Sequence, residues 1–148
     1  MKKTITWILV ADGARARIFQ NGGPGKGLHP ALPEEFRKAV PKTSEMGTDR
    51  PGRGHESATA ARHAVETTDW HRFEKEKFAK EMAGILDQAG ASGTYDRLIL
   101  VAPPKTLGDL RNALSPITRK KVTGEIDKDL TAVTQGELPD HLGSVLAV

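Results

Sequence analysis

A short segment, residues 52–58, carries many of the groups in this chain that could perform chemistry. It reads Gly-Arg-Gly-His-Glu-Ser-Ala and places a fixed cation, a titratable base, a carboxylate and a hydroxyl beside two flexible glycines. His55 and Glu56 are the predicted catalytic residues, with the imidazole acting as a base and the carboxylate orienting a water molecule. The alternative interpretation is that both are solvated loop residues.

The same segment and its flanks form a predicted RNA-binding set. Arginines on both sides supply cations for phosphate groups, and such contacts predict salt-sensitive binding with little sequence preference. The chain carries a net charge of +3 and a pI of about 9.3, which mildly favours an anionic partner, although an ordinary soluble protein has similar values. The predicted RNA-binding residues are Arg50, Gly52, Arg53, Gly54, Ser57 and Arg62.

The composition bounds the remaining possibilities. A length of 148 residues predicts one domain spanning 1–148. The absence of cysteine excludes disulfides, cysteine-based metal sites and thiol catalysis, and it favours a reducing cytoplasm. We interpret the apolar N-terminal run as a buried strand that ends at Asp12, and no run reaches the roughly 20 apolar residues of a membrane helix.

No cofactor and no metal are predicted. The possible ligands His55, His63, Asp69 and His71 fit no specific ligand spacing. Lys105-Thr106 follows an apolar strand but lacks the glycine-rich phosphate loop of nucleotide triphosphate sites.

The first half of the chain predicts a strand at 4–11, an Asp12-Gly13 hairpin turn and a partner strand at 14–20. A weaker strand between 28 and 40, interrupted by prolines, belongs at a sheet edge. Turn residues punctuate 41–61, which predicts a long mobile loop. A helix follows with Asp69 as its plausible N-cap, and it ends between 90 and 93.

The second half alternates strands and helices. The continuous apolar run 97–102 predicts a central strand covered on both faces. Helices are predicted at 106–114 and 137–146, with a strand at 120–127 between them and a break at Ser115-Pro116. This order predicts an α/β domain in which helices pack on a mixed β-sheet.

Three strings of residues resemble a known family. They are 10–19 in the opening hairpin, 52–58 before the long helix, and 100–111 after the central strand. The chain resembles the bacterial proteins described as required for attachment to host cells, a branch similar to the middle domain of archaeo-eukaryotic peptide-chain release factors. The resemblance implies a ribonuclease-H-like α/β fold, the ribosome or tRNA as partner, and hydrolysis of a peptidyl- or aminoacyl-tRNA ester.

The release-factor loop reads Gly-Arg-Gly-Gly-Gln-Ser, and Gly52, Arg53, Gly54 and Ser57 match it. His55 and Glu56 depart from it. A side chain at position 55 restricts the backbone, and a carboxylate at position 56 replaces amide donors with a charge that phosphates repel. The departure predicts a poor general release catalyst. The alternative function is a non-enzymatic interaction protein that is required only indirectly for attachment to host cells; the sequence predicts no oligomeric state.

Overall fold

A fully buried strand, β1 (Thr6–Ala11), lies in the middle of the sheet. The computed structural model describes residues 4–32, 35–37 and 57–148, with side chains of the first helix described from residue 70 onward. β1 pairs antiparallel with β2 (Arg15–Asn21) and parallel with β5 (Arg97–Val101), which in turn pairs parallel with β6 (Val122–Ile126). The predicted mixed sheet is therefore confirmed.

Two short strands form one edge of the sheet. β3 (His29–Pro30) and β4 (Phe36–Arg37) both pair with β2, so the sheet order is β3-β2-β1-β5-β6 with β4 beside β2. The predicted weak edge strand between 28 and 40 therefore exists as two fragments. Pro30 lacks a backbone donor, which suits an edge position.

A 35-residue helix, α1 (Ser57–Ala91), follows. It begins inside the stretch predicted as loop, since residues 57–61 are helical, while 41–56 lie outside the described residues. The prediction of Asp69 as N-cap is wrong because this residue lies inside the helix. Four alanines between 58 and 64 have high helix propensity and extend the helix upstream of Asp69.

The inner face of α1 packs on one side of the sheet, as its helical spacing predicts. Phe78, Met82 and Leu86 are buried there, with Ile85 and Ala89 partly buried beside them. α2 (Pro104–Ala113) joins the same layer and contributes Leu107 and Leu110 to its core. Within the described residues, no helix combines the length and apolar character needed to cross a bilayer.

The other side of the sheet is covered by the C-terminal segment. Leu138 and Leu142 of α4 (Leu138–Leu142) pack with Ile8, Ile99 and other residues of the central strands. β1 and β5 are thus covered on both faces, which explains their continuous apolar sequences. The predicted last helix, 137–146, is shorter than expected and ends at Leu142, with Gly143 as its C-cap.

One helix escaped prediction. α3 (Pro116–Lys121) starts where Ser115-Pro116 was interpreted only as a break. The Ser115 hydroxyl accepts a hydrogen bond from the Thr118 backbone N–H at 3.3 Å, and Pro116 occupies the first helical position. Serine at the N-cap followed by proline is itself a helix start signal, because proline has no N–H to leave unpaired.

The only tyrosine of the chain, Tyr95, is completely buried between α1 and the sheet. Its ring stacks on Trp7 at 5.0 Å between centroids, and its hydroxyl donates to the Leu86 carbonyl at 2.7 Å. Burial, with the nearby Asp87 charge, raises the pKa of Tyr95 to about 12.

We predict that this tyrosine stabilises the fold only while it is protonated. The unfolded chain ionises near pH 10 and the folded one near pH 12, so the free energy of unfolding falls by up to about 2 kcal/mol across that interval. Phenolate absorbance of the native protein should titrate near pH 12, and the loss should disappear in Tyr95→Phe. Native titration near pH 10 would contradict the prediction.

Candidate functional site

The carboxyl ends of β1 and β5 meet at one edge of the sheet, because the strands are parallel and Val10 pairs with Val101. A cleft of about 660 Å³ opens there between the turn after β1, the start of α2 and the outer part of α1. This edge is where open α/β sheets bind ligands. The cleft is lined by Asp12, Gly13, Ala14, His71, Arg72, Lys75, Pro103, Lys105, Thr106 and Asp129.

Asp12 organises the turn after β1. Its Oδ1 accepts hydrogen bonds from the backbone N–H groups of Ala14 and Arg15, both at 2.7 Å. Its own N–H donates to the Arg15 carbonyl at 2.9 Å. The predicted hairpin and the turn role of Asp12 are confirmed, but the connection is longer than Asp12-Gly13 alone, since Ala11 pairs with Ala16. Gly13, however, has no positive φ, so the turn does not need glycine for its backbone conformation.

Gly13 is instead required for space. A Cβ at this position would lie 2.6 Å from Cγ and 2.8 Å from Cδ of Lys75. Contacts this short do not occur between real carbon atoms, so any side chain at 13 would displace the lysine. Glycine therefore lets the aliphatic part of Lys75 lie directly over the turn.

Arginines on β2 fasten the segment that follows β6. Arg17 Nη2 donates to the backbone carbonyls of Leu130, Thr131 and Val133 at 3.3, 3.0 and 2.7 Å. Its guanidinium also lies 5.3 Å from the centre of the Phe19 ring. Hydrogen bonds from a charged donor are stronger than neutral ones, so this single side chain holds residues 130–133 against the sheet.

The fastened segment brings Asp129 close to Asp12. The Thr131 hydroxyl lies 2.5 Å from Asp129 Oδ1 and 3.3 Å from Asp12 Oδ2; because it carries one proton, it donates to the nearer carboxylate. This hydrogen bond, aided by the Thr131 N–H and the charge of Arg15, lowers the pKa of Asp129. Arg15 donates to the same hydroxyl oxygen at 3.0 Å and lies 3.6 Å from Asp12.

Arg72 ties α1 to α2. Its Nη2 lies 2.6 Å from Asp109 Oδ1 and its Nε lies 3.1 Å from Glu76. The hydrogen bond to Asp109 is the main reason that the pKa of Arg72 is raised. The guanidinium of Arg72 is thus largely occupied by ion pairs with protein carboxylates.

The other basic side chains of the cleft have fewer partners within the described residues. Lys75, Lys105 and His71 are exposed, and neither lysine forms an ion pair with any residue in the described part of the chain. Asp12 and Asp129 are by contrast held by Arg15, Thr131 and backbone N–H groups. The cleft therefore presents two ammonium groups without ion-pair partners in the described part of the chain, beside carboxylates that accept hydrogen bonds from the protein.

The structure describes only the backbone at one end of the predicted loop site. Arg50, Gly52, Arg53, Gly54, His55 and Glu56 lie outside the described residues; Ser57 and Arg62 belong to α1, where only the backbone is described. Ser57 is 14 residues before His71 in the helix, which corresponds to about 21 Å along its axis.

Sequence reasoning missed the cleft residues. The sequence offers Lys105 only as part of a nucleotide triphosphate site that lacks its glycine-rich loop, and it does not single out Lys75. A usable signal was present, because strings 10–19 and 100–111 both run past the end of a buried strand. Neighbouring parallel strands would bring those ends together.

Comparison with known proteins places this chain in a family. The family described as "Protein required for attachment to host cells" matches residues 7–142. The chain belongs to this family. None of the curated proteins matches it.

Among solved structures, the crystal structure of archaeal translation termination factor aRF1 is similar in fold to this family member, with 12% sequence identity and a TM-score of 0.47. The match covers 95% of this chain and 38% of that one. A likeness at this level carries no functional argument.

The contact between Gly13 and Lys75 yields a prediction. Gly13→Ala should destabilise the protein by about 1 kcal/mol, and by clearly less in a Lys75→Ala background, where Cγ and Cδ are gone. Denaturant unfolding of the two single variants and the double variant measures this coupling. Gly22→Ala is the matched control, since a Cβ there meets nothing within 4 Å. Equal costs of Gly13→Ala in both backgrounds would contradict the prediction.

Proposed function

We propose that this protein binds the phosphate backbone of structured RNA, either tRNA or ribosomal RNA. The contact surface comprises the cleft at the carboxyl ends of β1 and β5 together with the loop that precedes α1. The observation that carries the proposal is the charge of the cleft: its carboxylates have internal partners, whereas Lys75 and Lys105 are exposed and form no ion pair within the described residues. Ribosomes or tRNA as partners imply a cytoplasmic protein.

The distance along α1 from its first residue to the cleft favours a large ligand. About 21 Å of helix separates Ser57, next to the arginine-containing loop, from His71 at the cleft. An RNA duplex presents phosphates on this length scale, so one RNA can contact both the cleft and the start of α1.

The proposal predicts a salt-dependent loss of affinity in cleft variants. Lys75→Gln with Lys105→Gln should weaken binding of fluorescent deacylated tRNA at least tenfold at low salt. It should also reduce the dependence of log affinity on log salt by about two counterions. Fluorescence anisotropy over a salt series gives both quantities.

The matched control is Arg119→Gln with Lys120→Gln, which removes the same charge from exposed positions of α3. Equal losses in the cleft and control variants would show only a net-charge effect and would refute the cleft as the site. Arg53→Gln tests the loop separately. If the wild-type protein binds neither tRNA nor ribosomes, the non-enzymatic interaction protein becomes the better explanation of the family description.

We further propose that the loop acts on the ester of a peptidyl- or aminoacyl-tRNA held by this surface. The support is the match of Gly52, Arg53, Gly54 and Ser57 to the release-factor loop and its place directly before a long helix. Because His55 and Glu56 replace the glycine and glutamine of that loop, hydrolysis by the natural protein should be slow.

Restoring the release-factor residues is therefore expected to raise activity. His55→Gly with Glu56→Gln should release peptide from peptidyl-tRNA faster than wild type, and Glu56→Gln alone should raise the rate less because position 55 stays restricted. Single-turnover release assays with tRNA-binding controls separate catalysis from affinity. An active wild type and an inactive double variant would instead make His55 and Glu56 catalytic in their own right.

A further inference from the structure

Two large aromatic side chains on α1 are exposed. Trp70 is 40% exposed and Phe73 is 56% exposed, and their ring centroids lie 6.2 Å apart. A helix turns about 100° per residue, so this pair lies roughly opposite the buried stripe of Phe78, Met82 and Leu86. The pair also lies on the far side of α1 from Lys75 and therefore takes no part in the cleft.

We propose that this face of α1 pairs with α1 of a second copy of the chain in antiparallel orientation. The stripe comprises positions 66, 70, 73 and 77, whose spacing of four, three and four residues is that of a coiled-coil seam. Its central layers would place Trp70 against the partner's Phe73, and Phe73 against the partner's Trp70. Such a contact removes both exposed aromatics from water.

The charges that flank the aromatics support a second copy as the occupant. A two-fold symmetric contact requires a surface that is complementary to itself. Glu66 and Lys77 lie at equal distances from the midpoint between Trp70 and Phe73 and have opposite charges. An antiparallel pair therefore sets each glutamate position opposite a lysine position, whereas a parallel pair sets like charges together.

The surrounding surface fits RNA poorly. On this side of α1, which excludes Lys75, the exposed charged residues that follow the aromatics are two acids and two bases: Glu76, Lys77, Lys80 and Glu81. A surface on which bases stack is normally bordered by positive charge that tracks the backbone, and this border is neutral. A second copy with the same mixed charges is the better match.

The dimer should be weak. The stripe covers 12 residues from 66 to 77, or about 16 Å of helix, which places the contact at the small end of specific interfaces. Arg62 and Lys80 also lie nearly equidistant from the midpoint, beside the stripe, and their like charges lower the expected affinity. We expect reversible self-association in the micromolar range or weaker, with both clefts left open.

A charge swap in the full-length protein tests the pairing. Lys77→Glu sets like charges opposite each other and should weaken dimerisation at least fivefold, as should Glu66→Lys. The double variant, Lys77→Glu with Glu66→Lys, should restore it. Trp70→Ala should weaken it at least tenfold. Sedimentation velocity over a concentration series measures each, with Lys120→Glu on α3 as the control for net charge.

Three results would overturn the inference. The first is a wild type that stays monomeric at the highest soluble concentration. The second is a double variant that associates no better than the single variants. The last is a Trp70→Ala variant that loses tRNA affinity while its self-association is unchanged. The last result would show that the two aromatic side chains contact RNA rather than a second copy of the chain. Self-association is measured without RNA, so its failure and the failure of the proposed function are distinguishable.

Discussion

The parallel pairing of β1 with β5 is the constraint on which the rest of the structure depends. It buries both strands in the centre of the sheet and makes their carboxyl ends coincide. The turn at Asp12 and the start of α2 at Pro104 therefore lie side by side, although more than 90 residues separate them in the chain. α1, which connects the two halves, must cross the same face and carries Lys75 and Arg72 over that edge.

The charged groups of the cleft fall into two sets, those with partners inside the protein and those exposed to a ligand. Arg15 and Arg17 act within the protein by holding the segment after β6, and Arg72 joins two helices through Asp109. The carboxylates of Asp12 and Asp129 receive hydrogen bonds from backbone and hydroxyl groups. The groups left available to a ligand are mainly the ammonium groups of Lys75 and Lys105 and the imidazole of His71. This explains why a string as rich in arginine as 14–17 contributes structure rather than charge to the cleft.

Much of the fold was predictable because hydrophobic periodicity reports burial directly. The run 97–102 and the spacing of Phe78, Met82 and Leu86 led to the correct strand and helix face. Errors in the predicted helix ends arose where two local sequence signals pointed to different boundaries. Asp69 has a capping side chain but lies downstream of an alanine-rich stretch that is already helical. Ser115-Pro116 both ends one helix and starts the next.

The candidate site was harder to predict than the fold. Its loop residues, 52–58, come from the sequence, whereas the cleft comes from the structure. Residue types and order determined the α/β class, the central strands, the turn role of Asp12 and the family. Only the tertiary structure decided which charges are available, since Lys75 meets Gly13 from 62 positions away, and the Thr131 hydroxyl lies beside Asp129 and Asp12 in a segment whose carbonyls bind Arg17. The physical reason is that a charge acts through its neighbours in space, and neighbours that are distant in sequence leave no local pattern.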